Sequence, residues 1–296
     1  MSQLNINKIL NNEVIVILKD NFIAQNSYNI KKTQDCINLI QAGLSKKNIS
    51  YKVIKRSQLQ ENFYERLVIS VGGDGTLLDA SHHCYESILL GVNSDKQHSI
   101  GALCTAFIDD FFDTLDKIYQ KQSCLIPIHR LQASIDNKII NIPILNEVLF
   151  CHKNPASISK YALKIDDYEE IHRSSGLFIA TALGSSGAIF SAGGKIMSSQ
   201  DIYGQFLVRE FFWSDEEKPK LIAGSLNNHQ SLYVKNLIDN CKIYIDGAHK
   251  NFIVPKNAVV KVEISPYPVW LFKNQQLLDR TRLIRQRQNI RNFYFI

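Results

Sequence analysis

Hydrophobic positions follow two rhythms along this chain, and the change falls near Leu125. Before it, continuous apolar runs alternate with stretches of helical period. Val14-Ile15-Val16-Ile17-Leu18 reads as a strand covered on both faces. Residues 31–44 place Cys36, Ile37, Leu39, Ile40 and Leu44 near helical spacing, with Gly43 close to the stop. Residues 51–54, 67–71 and 89–93 supply three more strands, and residues 108–119, with Phe111, Phe112, Leu115 and Ile118, a second amphipathic helix. A further helix is expected to start around Leu77 and continue over 79–87. This alternation predicts a doubly wound, Rossmann-like parallel sheet.

After Leu125 the elements are short strands separated by turn residues. The pattern gives strands over 132–135 and 139–142 around Asp136-Asn137, then 144–150, 162–165 before Asp166-Asp167, 177–181, 243–245 and 259–264. Pro255, Pro266 and Pro268 mark edges or loops. The expectation is α/β plus β: an α/β domain over 1–124, a β-rich domain over 125–269, and a tail, 270–296, packing back on the first.

Composition changes little in this picture. With 296 residues, 45% hydrophobic and 21% charged, the chain is long enough for two cores. A net charge of +6 permits anionic ligands without indicating nucleic acid. Arg280, Arg282, Arg285, Arg287 and Arg291 cluster near the end, as a solvated helix face or a subunit contact. The six cysteines, at 36, 84, 104, 124, 151 and 241, form no C-x-x-C pair and follow no secretory segment, which points to reduced thiols in a cytoplasm. No apolar stretch reaches the length of a membrane span, and an asparagine-rich first dozen residues suggests a disordered start.

Candidate chemistry concentrates in three places. The strand at 67–71 runs into Gly72-Gly73-Asp74-Gly75-Thr76, whose glycines let backbone amides approach a polyphosphate. A carboxylate beside phosphates is repelled unless it ligates a metal, accepts a substrate hydroxyl or removes that hydroxyl's proton; otherwise Asp74 simply caps the following helix. Asn146-Glu147 interrupts an apolar strand with two polar side chains that alternation sends to opposite faces, suited to a ribose or an adenine edge, or to an interfacial polar pair. The run from Thr181 to Gly194 follows a strand with small residues and hydroxyls, as a diphosphate loop or a close-packing turn.

In that order, GGDGT, then Asn146-Glu147-Val148, then the Thr181-to-Gly194 run, the chain resembles the NAD kinases from about Val14 to Phe272. The resemblance implies phosphorylation of the 2'-hydroxyl on the adenosine ribose of NAD, giving NADP. It makes Asp74 the base that accepts the hydroxyl proton. It places Gly72, Gly73, Gly75, Thr76 and Asn93 at the binding site, together with Asn146, Glu147, Arg173, Ser175, Thr181, Ser186, Gly187, Ala188 and Ser191. It also implies Mg²⁺ arriving with ATP, ATP or inorganic polyphosphate as donor, and a homodimer or homotetramer. No metal-ligand cluster stands out in the sequence. Ser175 and Ala188 depart from the family pattern, which usually has an aspartate and a tyrosine there, so the nicotinamide end is held differently. Arg173-Ser174-Ser175-Gly176-Leu177 and Val208-Arg209-Glu210 are closer to the mitochondrial-type branch. A silent NAD(P)-binding regulator, or a lipid or small-alcohol kinase sharing the glycine loop, are the alternatives.

Overall fold

Val14–Leu18 is buried over its first four residues because parallel strands flank it on both sides, Tyr51–Lys55 and Leu67–Gly72. The structure is a computed structural model that describes residues 4–20, 27–94, 103–122, 125–212 and 219–272, with the side chains of 27–33 outside that set. These residues form two compact units, the first running to Pro127 and resuming at Tyr267, the second spanning Ile128–Pro266.

In the first unit the sheet order is Tyr51–Lys55, Val14–Leu18, Leu67–Gly72, Ile88–Asn93, Val269–Phe272, Leu125–Ile128, with Ala106–Phe107 pairing off Ile88–Asn93. The pairings from Tyr51–Lys55 through Val269–Phe272 are parallel. Strands in such a sheet are covered on both faces, which is why Leu67–Gly72 and Ile88–Asn93 are buried throughout and apolar apart from Ser70 and Asn93. The helix Ser27–Lys46 buries Cys36, Ile37, Ile40 and Leu44, and Phe111–Tyr119 buries Phe111, Thr114, Leu115 and Ile118.

Two expectations change here, and a third falls partly outside the described residues. The start of the chain is not wholly unstructured, since Ile6–Asn11 is a helix with Asn5 accepting the Lys8 amide. The helix after the glycine loop is Asp74–Ser81 and does not reach 87, because Cys84–Tyr85 pairs as a strand with Phe63–Tyr64. Of the expected tail, Val269–Phe272 enters the sheet, whereas residues 273–296, with the arginine cluster, lie outside the described residues.

The second unit contains two six-stranded antiparallel sheets. One orders Lys138–Ile139, Leu131–Ile135, Val259–Ile264, Ser231–Asn236, Ser159–Ile165, Tyr168–Ser174; the other Ala223–Leu226, Gly204–Arg209, Gly176–Ala180, Glu147–His152, Cys241–Ile245, Lys250–Val254. One apolar core draws on both, including Leu163, Val234 and Val260 from the first and Val148, Ile179 and Ile243 from the second. Period-two alternation sends Leu149, Phe178, Ala180 and Leu207 to the opposite face of the second sheet, where Ile189 packs against part of it. No helix among the described residues is long and apolar enough to cross a membrane.

Candidate functional site

In the first unit the glycine loop leaves the carboxyl end of Leu67–Gly72, the edge at which open parallel sheets bind ligands. Gly72 pairs in register with Asn93, which is buried at the end of the next strand. Thr76 is buried as well, and its hydroxyl oxygen lies 2.4 Å from where a Gly72 Cβ would stand, so a side chain at 72 does not fit. Gly73 caps the helix Asp74–Ser81 through its backbone. Asp74, the first helical residue, is oriented by an N–H bond from Leu103 to its Oδ1 at 2.8 Å. The carboxylate therefore does more than terminate its own helix, because it ties the glycine loop to a segment distant in sequence.

In the second unit the strand expected over 144–150 begins at Glu147 and runs to His152. The backbone ahead of it is drawn onto Asp246, just past the end of Cys241–Ile245. Its Oδ2 accepts the Leu145 amide at 2.9 Å, and its Oδ1 the amides of Asn146 at 2.7 Å and Glu147 at 3.0 Å. Three N–H groups on one ionised carboxylate are stronger than neutral bonds and fix where the strand starts. Asn146 thus lies outside the strand and does not alternate with Glu147.

The run after Gly176–Ala180 closes over this start. The buried Thr181 hydroxyl donates to Leu145 O at 2.6 Å and accepts the Gly184 amide at 2.8 Å, while the Thr181 amide bonds Asn146 O at 2.8 Å. Ser185 is buried and takes up Ala182 O and the Met197 amide. Thr181 therefore serves as scaffold through its side chain. Ser186 is half-buried in the short turn Gly184–Ser186, Gly187 precedes the four-residue helix Ala188–Ser191, and Ala188 and Ser191 are exposed.

Glu147, Leu149 and Cys151 share the outer face of the sheet and line a cavity of about 540 Å³. Ser175, Phe178, Ala188, Arg209 and Tyr244 also line it, so three of the expected residues, Glu147, Ser175 and Ala188, meet there. Glu147 Oε2 is buried and has no hydrogen-bond partner among the described residues. Burial and the Asp246 charge push its acid up to about 7. Gly187 leaves room for it, since a Cβ there would stand 3.3 Å from Oε2.

Arg209 was visible in the sequence only within Val208-Arg209-Glu210. In the fold its guanidinium lies 5.2 Å from the Phe178 ring centroid and its Nε 3.6 Å from Glu210 Oε2. Arg173 stands elsewhere. It belongs to the other sheet, stacks 4.9 Å over Phe212 and lines a separate cavity of about 810 Å³ with Glu170 and His172. A buried acid, aromatic rings and one guanidinium around the smaller cavity suit a nucleotide: flat ring on the apolar wall, hydroxyl on Glu147, phosphate toward Arg209.

No model of a protein family matches the chain. A probable NADH kinase of Oryza sativa subsp. japonica is 32% identical over 240 residues, which cover 73% of this chain and 74% of that protein. Among solved structures, yeast NADH kinase complexed with NADH aligns with a TM-score of 0.72 at 14% identity, covering 92% of this chain and 86% of that one. An NAD kinase from Archaeoglobus fulgidus in complex with ATP aligns at 0.66 and 20% identity, covering 92% and 98%. Both structural likenesses are of fold.

Proposed function

The chain belongs to the NAD kinase family, and from that premise we propose that it transfers the terminal phosphate of ATP to the adenosine-ribose 2'-hydroxyl of NAD or NADH. The observation that carries the dinucleotide half of this reading is Glu147, a buried carboxyl oxygen left without a partner among the described residues at a cavity of nucleotide character. A ribose hydroxyl donates to such an oxygen, and leaving it unsatisfied is otherwise unfavourable.

Phosphoryl transfer demands positioning and charge neutralisation more than covalent participation by the protein. Asp74, held by the Leu103 amide, takes the 2'-hydroxyl proton as the oxygen bonds to the terminal phosphorus, and ADP departs with the electrons of the broken P–O bond. Among the described residues no three acidic, histidine or cysteine side chains gather as a metal cage. Mg²⁺ arriving with the triphosphate would supply charge neutralisation when bound. Thr181 and Asp246 hold the backbone that presents Glu147. The same reading includes a homo-oligomer, and a reducing, cytoplasmic compartment that five free cysteines among the described residues support.

The test is NADP or NADPH formation from NAD and NADH with ATP, and separately with inorganic polyphosphate, each with Mg²⁺. Product above the no-enzyme control is expected, and none with either donor overturns the kinase in favour of a silent dinucleotide binder. Asp74→Asn is expected to keep dinucleotide affinity within about tenfold while lowering kcat by about 10²–10⁴. Retained turnover in that variant removes Asp74 as the base.

A further inference from the structure

The glycine loop has two basic neighbours that its own motif does not include. Leu18 pairs with Lys55 on one side and Val71 on the other. One residue further, Lys19, Arg56 and Gly72 leave three adjacent strands side by side, and Gly72 pairs with Asn93. Lys19 stays in the ladder, its amide bonding Val71 O at 3.1 Å, and its Cβ lies 3.3 Å from where a Gly72 Cβ would be. Neighbouring strands are about 4.8 Å apart, a spacing at which one extended anion touches side chains from both.

Arg56 is held in a particular attitude. Its Nε donates to Asp79, on the helix Asp74–Ser81, with both side chains largely covered. The turn that carries it is tied down in turn, because Ser57 bonds Asp20 Oδ1 through its amide at 3.3 Å and its hydroxyl at 2.7 Å. With Nε committed, the two terminal nitrogens face Gly75, standing 3.6 and 4.0 Å from the position of an absent Cβ.

Gly75 sharpens the point. It sits in the first turn of a helix, and glycine is a poorer helix former than alanine, by about 0.5–1 kcal/mol in a helix interior. Yet among the described residues a methyl group there would meet no atom closer than that guanidinium, at ordinary contact distance. Packing among the described residues does not explain the glycine. Space kept open beneath a fixed guanidinium does, if a ligand fills it.

We propose that Arg56 and Lys19 bind the phosphate chain of the donor, ATP or inorganic polyphosphate, over Gly72–Gly75, with Asp79 as the residue that positions Arg56. This rests on the kinase reading for the name of the donor but not for the chemistry of the contact. Arginine presents a planar pair of donors to phosphate and lysine a compact charge, so the two are complementary along one chain.

The test uses full-length Arg56→Gln, Arg56→Lys and Lys19→Gln. Each glutamine variant is expected to raise KM for the donor about tenfold or more while KM for the dinucleotide moves less than about threefold. Arg56→Lys recovers part of the loss, and all three keep the wild-type unfolding midpoint within a few degrees. A purely structural Arg56–Asp79 pair would instead move both KM values together, or neither, with the midpoint, and that result overturns the assignment. Calorimetric titration with a non-hydrolysable ATP analogue and with tripolyphosphate reads the contact without turnover. Weakening of both probes in Arg56→Gln marks a phosphate chain from either source, weakening of the nucleotide alone marks ATP, and unchanged affinities overturn the proposal. Because binding is read directly, a wild-type protein that formed no NADP would remove the kinase reading while this measurement still decided on Arg56.

Discussion

Glu147 combines two properties that are hard to hold together, burial and a nearby second carboxylate. Both favour its protonated form, which raises its acid from 4.5 to about 7. Below about pH 4.5 the group is protonated in folded and unfolded chains alike, and its full stabilising contribution is present. As pH rises, the unfolded chain releases the proton first, so this contribution declines through the interval up to about 7 and stays lost above it, on the order of 3 kcal/mol in all. Glu147→Gln is therefore expected to gain stability relative to wild type between pH 5 and pH 8. Urea denaturation at the two pH values measures it, and an unchanged difference would mean that Glu147 does not titrate in this window. The residue itself is legible in sequence as a polar intrusion in an apolar run. Its partner Asp246 is not, because the contact joins Leu145 and Asp246 across 101 residues and depends on which strand lies beside Glu147–His152.

At the level of elements, the strand start at Glu147 and the turn at Gly184–Ser186 behave as one piece. A Cβ on Gly184 would stand 2.1 Å from the Asn146 carbonyl oxygen and 2.5 Å from its carbon, backbone atoms that cannot swing aside. At Gly187 the closest approaches are 3.0 Å to Gly184 O and 3.3 Å to the Glu147 carboxylate. Gly184→Ala is expected to lose about 3 kcal/mol or more, and Gly187→Ala clearly less, by chemical denaturation. Equal losses would show that the turn is not braced on Asn146. The doubly wound half was legible because Val14–Leu18 and Leu67–Gly72 are buried on both faces and so run almost continuously apolar, with Ser70 as the one polar side chain in the two. Edges in the β-rich half were less so. Ile144 and Leu145 look like strand but form only an isolated bridge to Leu131, and Leu145 bonds the Asp246 carboxylate and the Thr181 hydroxyl instead of a ladder. In Ser231–Asn236 the period-two signal rests on Leu232 and Val234 alone. Likewise Arg209 and Ser175 come together only through the pairing of Gly204–Arg209 with Gly176–Ala180, which no local pattern announces.

For the whole molecule the decisive fact is connectivity. The second unit, Ile128–Pro266, is inserted between parts of the first, whose sheet receives Val269–Phe272 between Ile88–Asn93 and Leu125–Ile128. Leu271 is fully buried in that strand. Leu271→Asp places an unpaired charge in the core and is expected to unfold the first unit selectively. Hydrogen exchange would then show lost protection in Leu67–Gly72 and Ile88–Asn93 with protection kept in Ser159–Ile165 and Cys241–Ile245; uniform loss would mean the two units unfold as one. The late strand also sets a schedule for synthesis on the ribosome. At about 5–20 residues per second, roughly ten to thirty seconds separate the emergence of Leu125–Ile128 from that of its sheet neighbour. Throughout that interval the nascent sheet carries an open slot beside Ile88–Asn93, an apolar edge able to pair with the wrong chain. Chaperone demand should therefore peak while the inserted unit is being translated and fall once residue 272 has cleared the exit tunnel.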